Sequence, residues 1–378
     1  MPTNLPPQAQ ALWLKAQEAK TKEEKLERLQ EFLSAIPDHK GTEKLRKQIR
    51  HQIAVLRDEL ESERSRRKGS GLSLLVKREG ALQAVLVGAV GCGKTAIFLR
   101  LTGVTISGGG FMEVKQPTPG VVRFEDVPIQ LVDTPPLYLG SLRQPSLTLA
   151  SARNADLLIP VFDGSKPIRD QLTTLENFLD ECRIRLRVKK GQVRVEKTAS
   201  GGIRIMTTGS PRCTPDDVSR YLVEMGVRNA VVVINGPADM DDVEAALLGY
   251  VFKPSVALVT RRASVASGEL DLIRSVLPSS PVVCELQHNF ADAFPREIYA
   301  VSGFIRVYTK PVTQKERSEK PIFFKAGSTI RDVVNTIHSS LLATFEYARV
   351  WGSSVRYQGA KVGLDHVLAD GDTVEVHA

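Results

Sequence analysis

Gly88-Ala89-Val90-Gly91-Cys92-Gly93-Lys94-Thr95 fits G-x-x-x-x-G-K-[ST], the phosphate-binding P-loop. The flanks agree with it. Ala84-Val85-Leu86-Val87 is an apolar, β-type run, and Ala96-Ile97-Phe98-Leu99-Arg100-Leu101 opens a helix. Glycines let the backbone wrap a phosphate with its N–H groups, and the helix N-terminus adds a positive dipole end. Lys94 is the residue to reach the β/γ-phosphates and to stabilise their charge in any hydrolysis. Thr95 offers its hydroxyl to Mg²⁺. The expected nucleotide-binding set is therefore Gly88, Ala89, Val90, Gly91, Cys92, Gly93, Lys94, Thr95 and Ala96. The bland alternative is a glycine-rich strand–helix turn with no ligand. It requires strand, loop and helix signals to coincide by chance.

A chain of 378 residues suggests two or three domains, and 42% apolar residues suffice for ordinary cores. No apolar run approaches the roughly 18 residues of a membrane span, and a secretory leader is absent from the reading. The four cysteines, Cys92, Cys182, Cys213 and Cys284, are scattered without a C-x-x-C pair, which argues against a disulfide framework or zinc site. A reduced, cytoplasmic protein is the expectation. A net charge of +8 and a pI near 9.3 suit a polyanionic partner or serve solubility alone. The six histidines, His39, His51, His288, His338, His366 and His377, are dispersed and suggest no metal or nucleophile site.

Upstream of the P-loop, residues 8–67 read as an amphipathic helical hairpin. Thr21-x-x-Glu24 is a capping box, Leu26, Leu29, Leu33 and Ile36 make one stripe, and Leu45, Ile49, Ile53, Leu56 and Leu60 a second. The basic end Arg64-Ser65-Arg66-Arg67-Lys68 leads into the hinge Gly69-Ser70-Gly71. Downstream, Ile129-Gln130-Leu131-Val132 ends in Asp133, and Leu157-Leu158-Ile159-Pro160-Val161-Phe162 ends in Asp163. Val231-Val232-Val233-Ile234 and Val256-Ala257-Leu258-Val259 continue the series. Short apolar strands separated by helix-length segments predict an α/β, doubly wound, mostly parallel sheet, whose ligands bind at the carboxyl ends of strands. Asp133, falling there with Thr95, is the second expected Mg²⁺ residue. Between these strands, Arg183, Arg185 and Arg187 alternate with Ile184, Leu186 and Val188, and Gln192-Val193-Arg194-Val195 alternates again. Period two predicts a small antiparallel sheet with a basic face, either merely wet or in contact with RNA. The last 70 or so residues alternate strands around one helix carrying Ile330, Val333, Val334, Ile337 and Leu341, capped by Ser328 or Thr329. That suggests a β-grasp-like module.

With its motifs in this order, nearly the whole chain resembles the developmentally regulated GTP-binding (DRG) family. These are Obg-related P-loop GTPases with a C-terminal TGS domain. The resemblance rests on the P-loop and on Ala152-Arg153-Asn154-Ala155-Asp156-Leu157-Leu158 before the third core strand. It rests also on Tyr308-Thr309-Lys310-Pro311, Tyr347-Ala348-Arg349-Val350-Trp351-Gly352-Ser353-Ser354 and Val362-Gly363-Leu364-Asp365-His366. It implies an N-terminal hairpin over 1–69, a first G-domain part over 70–182 and a basic α/β insertion over 183–226. A second G-domain part over 227–308 and a TGS domain over 309–378 complete it. It further implies GTP or another nucleoside triphosphate with Mg²⁺, K⁺ as a candidate additional cofactor, and a ribosome or RNA as partner. A small partner protein and a cytoplasmic site of action go with it, and no membrane.

The departures from the family pattern concentrate in the nucleotide site. Where D-x-x-G is expected stands Asp133-Thr134-Pro135-Pro136. Pro136 has no backbone N–H to give a γ-phosphate. Leu137 stands where many G proteins carry a catalytic glutamine, but this family is apolar there. The switch-I threonine becomes Glu113 or Val114, with Thr118 and Thr105 as possible substitutes. Where N-K-x-D is expected stands Thr260-Arg261-Arg262-Ala263. Thr260 and Arg261 remain candidates for the base side, Ala263 removes the guanine-reading carboxylate, and Glu285 lies in the next loop. Three functions fit: a ribosome- or RNA-associated GTP-binding protein with weak hydrolysis, a pseudo-GTPase adaptor that does not switch, and a base-indifferent NTPase or ATPase.

Overall fold

A computed structural model describes residues 6–19, 21–37, 42, 45–46, 48–50, 52–53, 55–56, 76–104, 114–141, 144–187, 191–261, 268–278, 280–284, 289–312 and 316–378. The chain divides into two compact units. One comprises Met1–Ser73 with Lys189–Phe252, the other Leu74–Val188 with Lys253–Ala378.

In the first unit, α1 (Pro7–Glu18) and α2 (Lys22–Ala35) pack through Ala9, Ala16, Leu26, Leu29 and Phe32. The Trp13 ring lies 5.2 Å from that of Phe32. The Thr21 hydroxyl accepts the Glu24 N–H at 3.1 Å, the N-cap that the Thr-x-x-Glu spacing announces. Helical residues between 45 and 56 add Ile49 and Ile53 to the same core. The structure thus adds α1 to the expected hairpin. Its buried positions are alanines, which make a faint stripe in sequence. The basic run at 64–68 and its glycine hinge lie outside the described residues.

The P-loop unit opens with β1 (Leu82–Gly88), α3 (Lys94–Thr102), β2 (Thr118–Phe124), β3 (Val127–Asp133), α4 (Ser146–Asn154), β4 (Leu157–Asp163) and α5 (Ile168–Cys182). The chain then enters β5 (Gln192–Lys197), β6 (Ile203–Thr208), α6 (Pro215–Glu224), β7 (Ala230–Asn235) and α7 (Met240–Leu248), all in the first unit. It returns through β8 (Ala257–Thr260), α8 (Glu269–Val276), β9 (Val282–Cys284) and α9 (Phe290–Ser302).

The P-loop sheet has strand order β9-β8-β4-β1-β3-β2, parallel throughout except for the antiparallel β2–β3 pair. Every residue of β1 is buried, as a strand covered on both faces must be. Val85 and Val87 face one core with Leu158, Phe162 and Phe178, while Ala84 and Leu86 face the other with Ile97, Phe98 and Phe294. These two layers hold the carboxyl ends of β1, β3, β4 and β8 together, and there the candidate site residues collect.

Two expectations for the insertion are corrected. Val231–Ile234 does not continue the parallel series. It lies in β7, the middle strand of a separate sheet ordered β5-β7-β6, antiparallel to β5 and parallel to β6. An isolated apolar tetrapeptide reads the same in either sheet. Nor do Arg183, Arg185 and Arg187 build a basic strand face with Arg194. Arg183 closes α5 in the left-handed region, φ 54°, and is largely buried. The Arg185 guanidinium lies 2.7 Å from Asp180. Ile184 and Leu186 alternate with them because they plug the P-loop core.

The C-terminal module comprises β10 (Phe304–Thr309), β11 (Ile322–Lys325), α10 (Ile330–Ile337), α11 (Leu341–Thr344), β12 (Tyr347–Trp351), β13 (Ala360–Val362) and β14 (Asp372–His377). Its mixed sheet, β11-β10-β14-β12-β13, covers Ile330, Val333 and Val334 of α10 with Ile305, Val307, Ala348, Val350 and Val374. Thr329 and Asp332 form a reciprocal capping box at the start of α10.

This module is tied to the tip of the β2–β3 hairpin. Arg306 binds Asp126 at 3.1 Å and Asp370 at 2.9 Å, and also contacts Glu125. Tyr308 donates its hydroxyl to Asp126. Burial pushes Asp126 up, but hydrogen bonds from Tyr308 and Arg306 outweigh it and leave the carboxyl below its ordinary range. Asp370 behaves likewise, with Arg306 and Tyr299 as the opposing donors.

Candidate nucleotide site

The P-loop leaves β1 at Gly88, turns through Gly91 at φ 72° and Gly93 at φ 92°, and enters α3 at Lys94. The φ of 92° at Gly93 favours glycine, and a Cβ there would also sit a tight 3.1 Å from Thr260 Cγ2. Lys94 is 5% exposed and donates from Nζ to the Gly88 carbonyl at 3.0 Å, folded back over the loop it serves. The first N–H groups of α3 have no intrahelical acceptor, which is the general condition of helix N-termini and makes this one an anion cradle. Burial raises the Cys92 thiol, against the nearby Lys94 charge, so Cys92 is a packed side chain rather than a reactive one.

Thr95 and Asp133 meet as the spacing implies. The Thr95 hydroxyl donates to Asp133 Oδ2 at 2.7 Å. Asp133 is fully buried, and its Oδ1 has no hydrogen-bond partner. Burial pushes its carboxyl up, against the Thr95 hydrogen bond and the Lys94 charge. A buried carboxylate oxygen left without a donor is what a hydrated cation would satisfy. Among the described residues, no group of three or more His, Cys, Asp or Glu residues could hold a metal by itself. The donor set therefore fits Mg²⁺ held by Thr95, Asp133 and phosphate oxygens, where it would neutralise phosphate charge. Thr118 sits beside Asp133 in the β2–β3 register, with its hydroxyl on the Gln116 carbonyl. Val114 precedes β2, while Glu113 and Thr105 lie outside the described residues.

The segment after Asp133 is bonded to the body of the sheet. Thr134 Oγ1 donates to the Leu86 carbonyl at 2.7 Å, and Thr148 Oγ1 donates to the Pro135 carbonyl at 3.0 Å. Leu137 pairs with the P-loop itself. Its N–H donates to Gly88 O at 2.9 Å, and its carbonyl accepts the Val90 N–H at 3.2 Å. Gln144 brackets Tyr138, accepting its N–H at 2.9 Å and donating to its carbonyl at 3.0 Å. Pro136 is buried between these anchors.

On the base side, Thr260 donates to the Cys92 carbonyl at 2.9 Å, with Phe162 O at 3.3 Å as a second acceptor. Arg261 is in the left-handed region at φ 50°. It reaches Asp163 Oδ2 at 2.5 Å and the Gly91 carbonyl at 3.4 Å. Both thus tie β8 to the P-loop. Arg262, Ala263 and Glu285 lie outside the described residues. Two further members were not expected from sequence. Asp163, at the end of β4, is 1% exposed in its side chain. Lys166, three residues on, contacts both Asp163 and the P-loop. Asp163 carries the signal that marked Asp133, a carboxylate closing a buried parallel strand.

Fold and site together define a P-loop GTPase domain with an appended TGS domain. The comparisons with known proteins agree. Residues 83–190 match the family model described as 50S ribosome-binding GTPase, and residues 305–378 match the TGS domain. Developmentally-regulated GTP-binding protein 1 of Xenopus laevis is 30% identical over 339 residues, covering 87% of this chain and 91% of the relative. An uncharacterized GTP-binding protein of Methanocaldococcus jannaschii is 28% identical over 94% of this chain and 92% of its own length. The ribosome-interacting GTPase 1 of Saccharomyces cerevisiae is 27% identical over 93% and 98%. The chain belongs to the developmentally regulated GTP-binding protein family. No helix among its described residues is long and apolar enough to cross a membrane.

Proposed function

We propose that the chain binds a nucleoside triphosphate with Mg²⁺ through the P-loop, hydrolyses it weakly or not at all, and works in the cytoplasm on a ribosome or RNA. The observation that carries this reading is the contrast within one site. The phosphate cradle, Lys94 and the Thr95–Asp133 pair are intact, whereas the segment from Thr134 to Leu137 is fastened to the core and lacks an N–H at Pro136. The names of the ribosome-binding family model and of the yeast relative support the ribosomal partner, as does the net charge of +8. A small partner protein belongs to the same reading, and K⁺ is a further cofactor to vary in the assay.

A base-indifferent site is favoured by one specific feature. Thr260 and Arg261 keep β8 tied to the P-loop, while Ala263 stands where the guanine-reading carboxylate belongs. Loss of paired hydrogen bonds to a charge should hold any preference for GTP over ATP below about a hundredfold. The deciding experiment measures binding and turnover of GTP beside ATP, with Mg²⁺ and with K⁺ or Na⁺. Binding with slow or no turnover supports the proposal. Turnover at the pace of a switching GTPase, or no binding at all, refutes it.

A further inference from the structure

We infer that Lys166 is a phosphate-binding residue of this site, a cation that reads the terminal phosphate of a triphosphate in place of the backbone N–H missing at Pro136. This rests on the nucleotide-binding reading above.

The turn that carries Lys166 is rigid. Gly164 N–H donates to the Thr260 carbonyl at 2.9 Å, and Lys166 N–H to the Asp163 carbonyl at 3.1 Å. Asp163 Oδ1 accepts both the Ser165 N–H at 3.0 Å and the Ser165 hydroxyl at 2.7 Å. The root of the side chain is thereby fixed at the carboxyl edge of the sheet, beside the P-loop.

Its head hangs over the loop. Lys166 Nζ lies 3.4 Å from the Val90 carbonyl. It is also the one described atom within 4 Å of where a Cβ on Gly91 would sit, at 3.8 Å. The glycine thus leaves the ammonium a place beside the P-loop.

Among the described residues, charge at this rim is not balanced. The Asp163 carboxylate faces two cations. Arg261 takes it at 2.5 Å, while Lys166 stands off at 3.8 Å. One negative charge against two positive ones leaves a surplus of one. The residue holding that surplus is the more loosely engaged one, with a side chain 48% exposed. Lys94, by contrast, is buried beneath the loop. A flexible ammonium with three donors, whose contacts among the described residues are long, is suited to turn toward an incoming anion.

Pro136 makes the assignment more than a general attraction. Without its N–H, the Asp133 side of the site has lost a donor for the outermost phosphate. Lys166 approaches from the opposite side, off β4 rather than β3. Its charge would act most strongly on the most distal, most highly charged phosphate.

The test measures affinity for GTPγS and for GDP, each with Mg²⁺, in the full chain and in Lys166→Ala, Lys166→Gln and Lys166→Arg. Loss of a hydrogen bond to a charged group should weaken GTPγS by about tenfold or more and GDP by less than about threefold. Lys166→Arg should restore most of the difference. The apo melting temperature should be unchanged, since the side chain is half exposed. Equal weakening of both nucleotides would mean that Lys166 only shapes the loop, and the inference fails. An unchanged GTPγS affinity also overturns it. If the unsubstituted chain binds neither nucleotide, the nucleotide-binding reading itself falls, an outcome distinct from a wild-type chain that binds and a variant that binds equally well.

Discussion

Restoring glycine at position 136 is the most direct perturbation of this site. Pro136→Gly supplies one backbone N–H on a segment that is already positioned. Thr148 holds the carbonyl of the residue before it, and Leu137 pairs with Gly88 and Val90 just after it. The new donor therefore loses little entropy in facing a phosphate. A hydrogen bond to a charged acceptor contributes roughly 1.5–3 kcal/mol. At 1.4 kcal/mol per decade, that corresponds to about ten- to a hundredfold in affinity. The gain falls on the triphosphate alone, because a diphosphate has nothing at that place. Greater backbone freedom of glycine in the unfolded chain costs about 0.4–1 kcal/mol of stability. That loss is common to both ligands and cancels in their ratio. The assay is isothermal titration or a fluorescent-nucleotide displacement, reporting the ratio of GTPγS to GDP affinity with Mg²⁺. The ratio should rise at least about tenfold while the melting temperature drops by a few degrees. A ratio unchanged in a folded variant would show that residue 136 does not border the γ-phosphate, and would remove the physical basis for calling this site impaired.

Other perturbations follow from the same geometry. Lys94→Ala should abolish triphosphate binding and leave the fold intact, as read by titration and circular dichroism. Retention of wild-type affinity would exclude the P-loop as the site. Asp133→Asn removes a buried carboxylate with an unpartnered oxygen. The apo protein should melt no lower than wild type, while nucleotide affinity loses its dependence on Mg²⁺. Arg306→Ala strands Asp126 and Asp370 and should cost about 2 kcal/mol, discounted because those carboxylates are partly exposed. Both carboxyls are depressed in the folded state, so their contribution is complete above the unfolded Asp value of about 3.9 and is lost as pH falls through their folded values. The melting difference between wild type and Arg306→Ala should shrink on acidification, and a difference constant with pH would contradict the ion-pair account.

What was legible in the sequence was what is local. The P-loop, its strand and its helix occupy consecutive residues, and Asp133 closes a run whose burial its composition announces. The C-terminal module was legible because one helical stripe and alternating strands sit close together in sequence. Legibility failed where identical local patterns serve different ends. Val231–Ile234 is as apolar as β8, and only strand pairing assigns it to another sheet. Arg183 alternates like a strand residue yet ends α5, and Arg185, in the short strand Ile184–Arg185, binds Asp180 and lies in a different sheet from Arg194. The cluster of Asp163, Lys166 and Arg261 was illegible for a third reason. The Arg261–Asp163 bond joins residues 98 apart in the chain, and neither end carries a motif that names the other. The Arg261 guanidinium reaches Asp163 and the Gly91 carbonyl, which leaves its aliphatic stem as the part offered to a base.

On the proposed function, recognition of a nucleotide and response to it are separable in this site. A ligand moves a segment only by as much as it binds one conformation better than another. Six hydrogen bonds named above hold residues 134–138: those of Thr134, of Thr148 to Pro135, two at Leu137 and two between Tyr138 and Gln144. At about 0.5–1.5 kcal/mol net each, freeing the segment costs on the order of 3–9 kcal/mol, with non-additivity understood. A single γ-phosphate contact returns roughly 1.5–3 kcal/mol, and Pro136 forgoes even that. The balance therefore favours a segment that stays put whichever nucleotide is bound. It also explains why Pro136→Gly should raise triphosphate affinity without adding a conformational change. Hydrogen exchange across residues 134–141, compared between GTPγS and GDP, should show equal protection in wild type and variant alike. Strong deprotection with either nucleotide would mean that the anchors are weaker than their geometry implies.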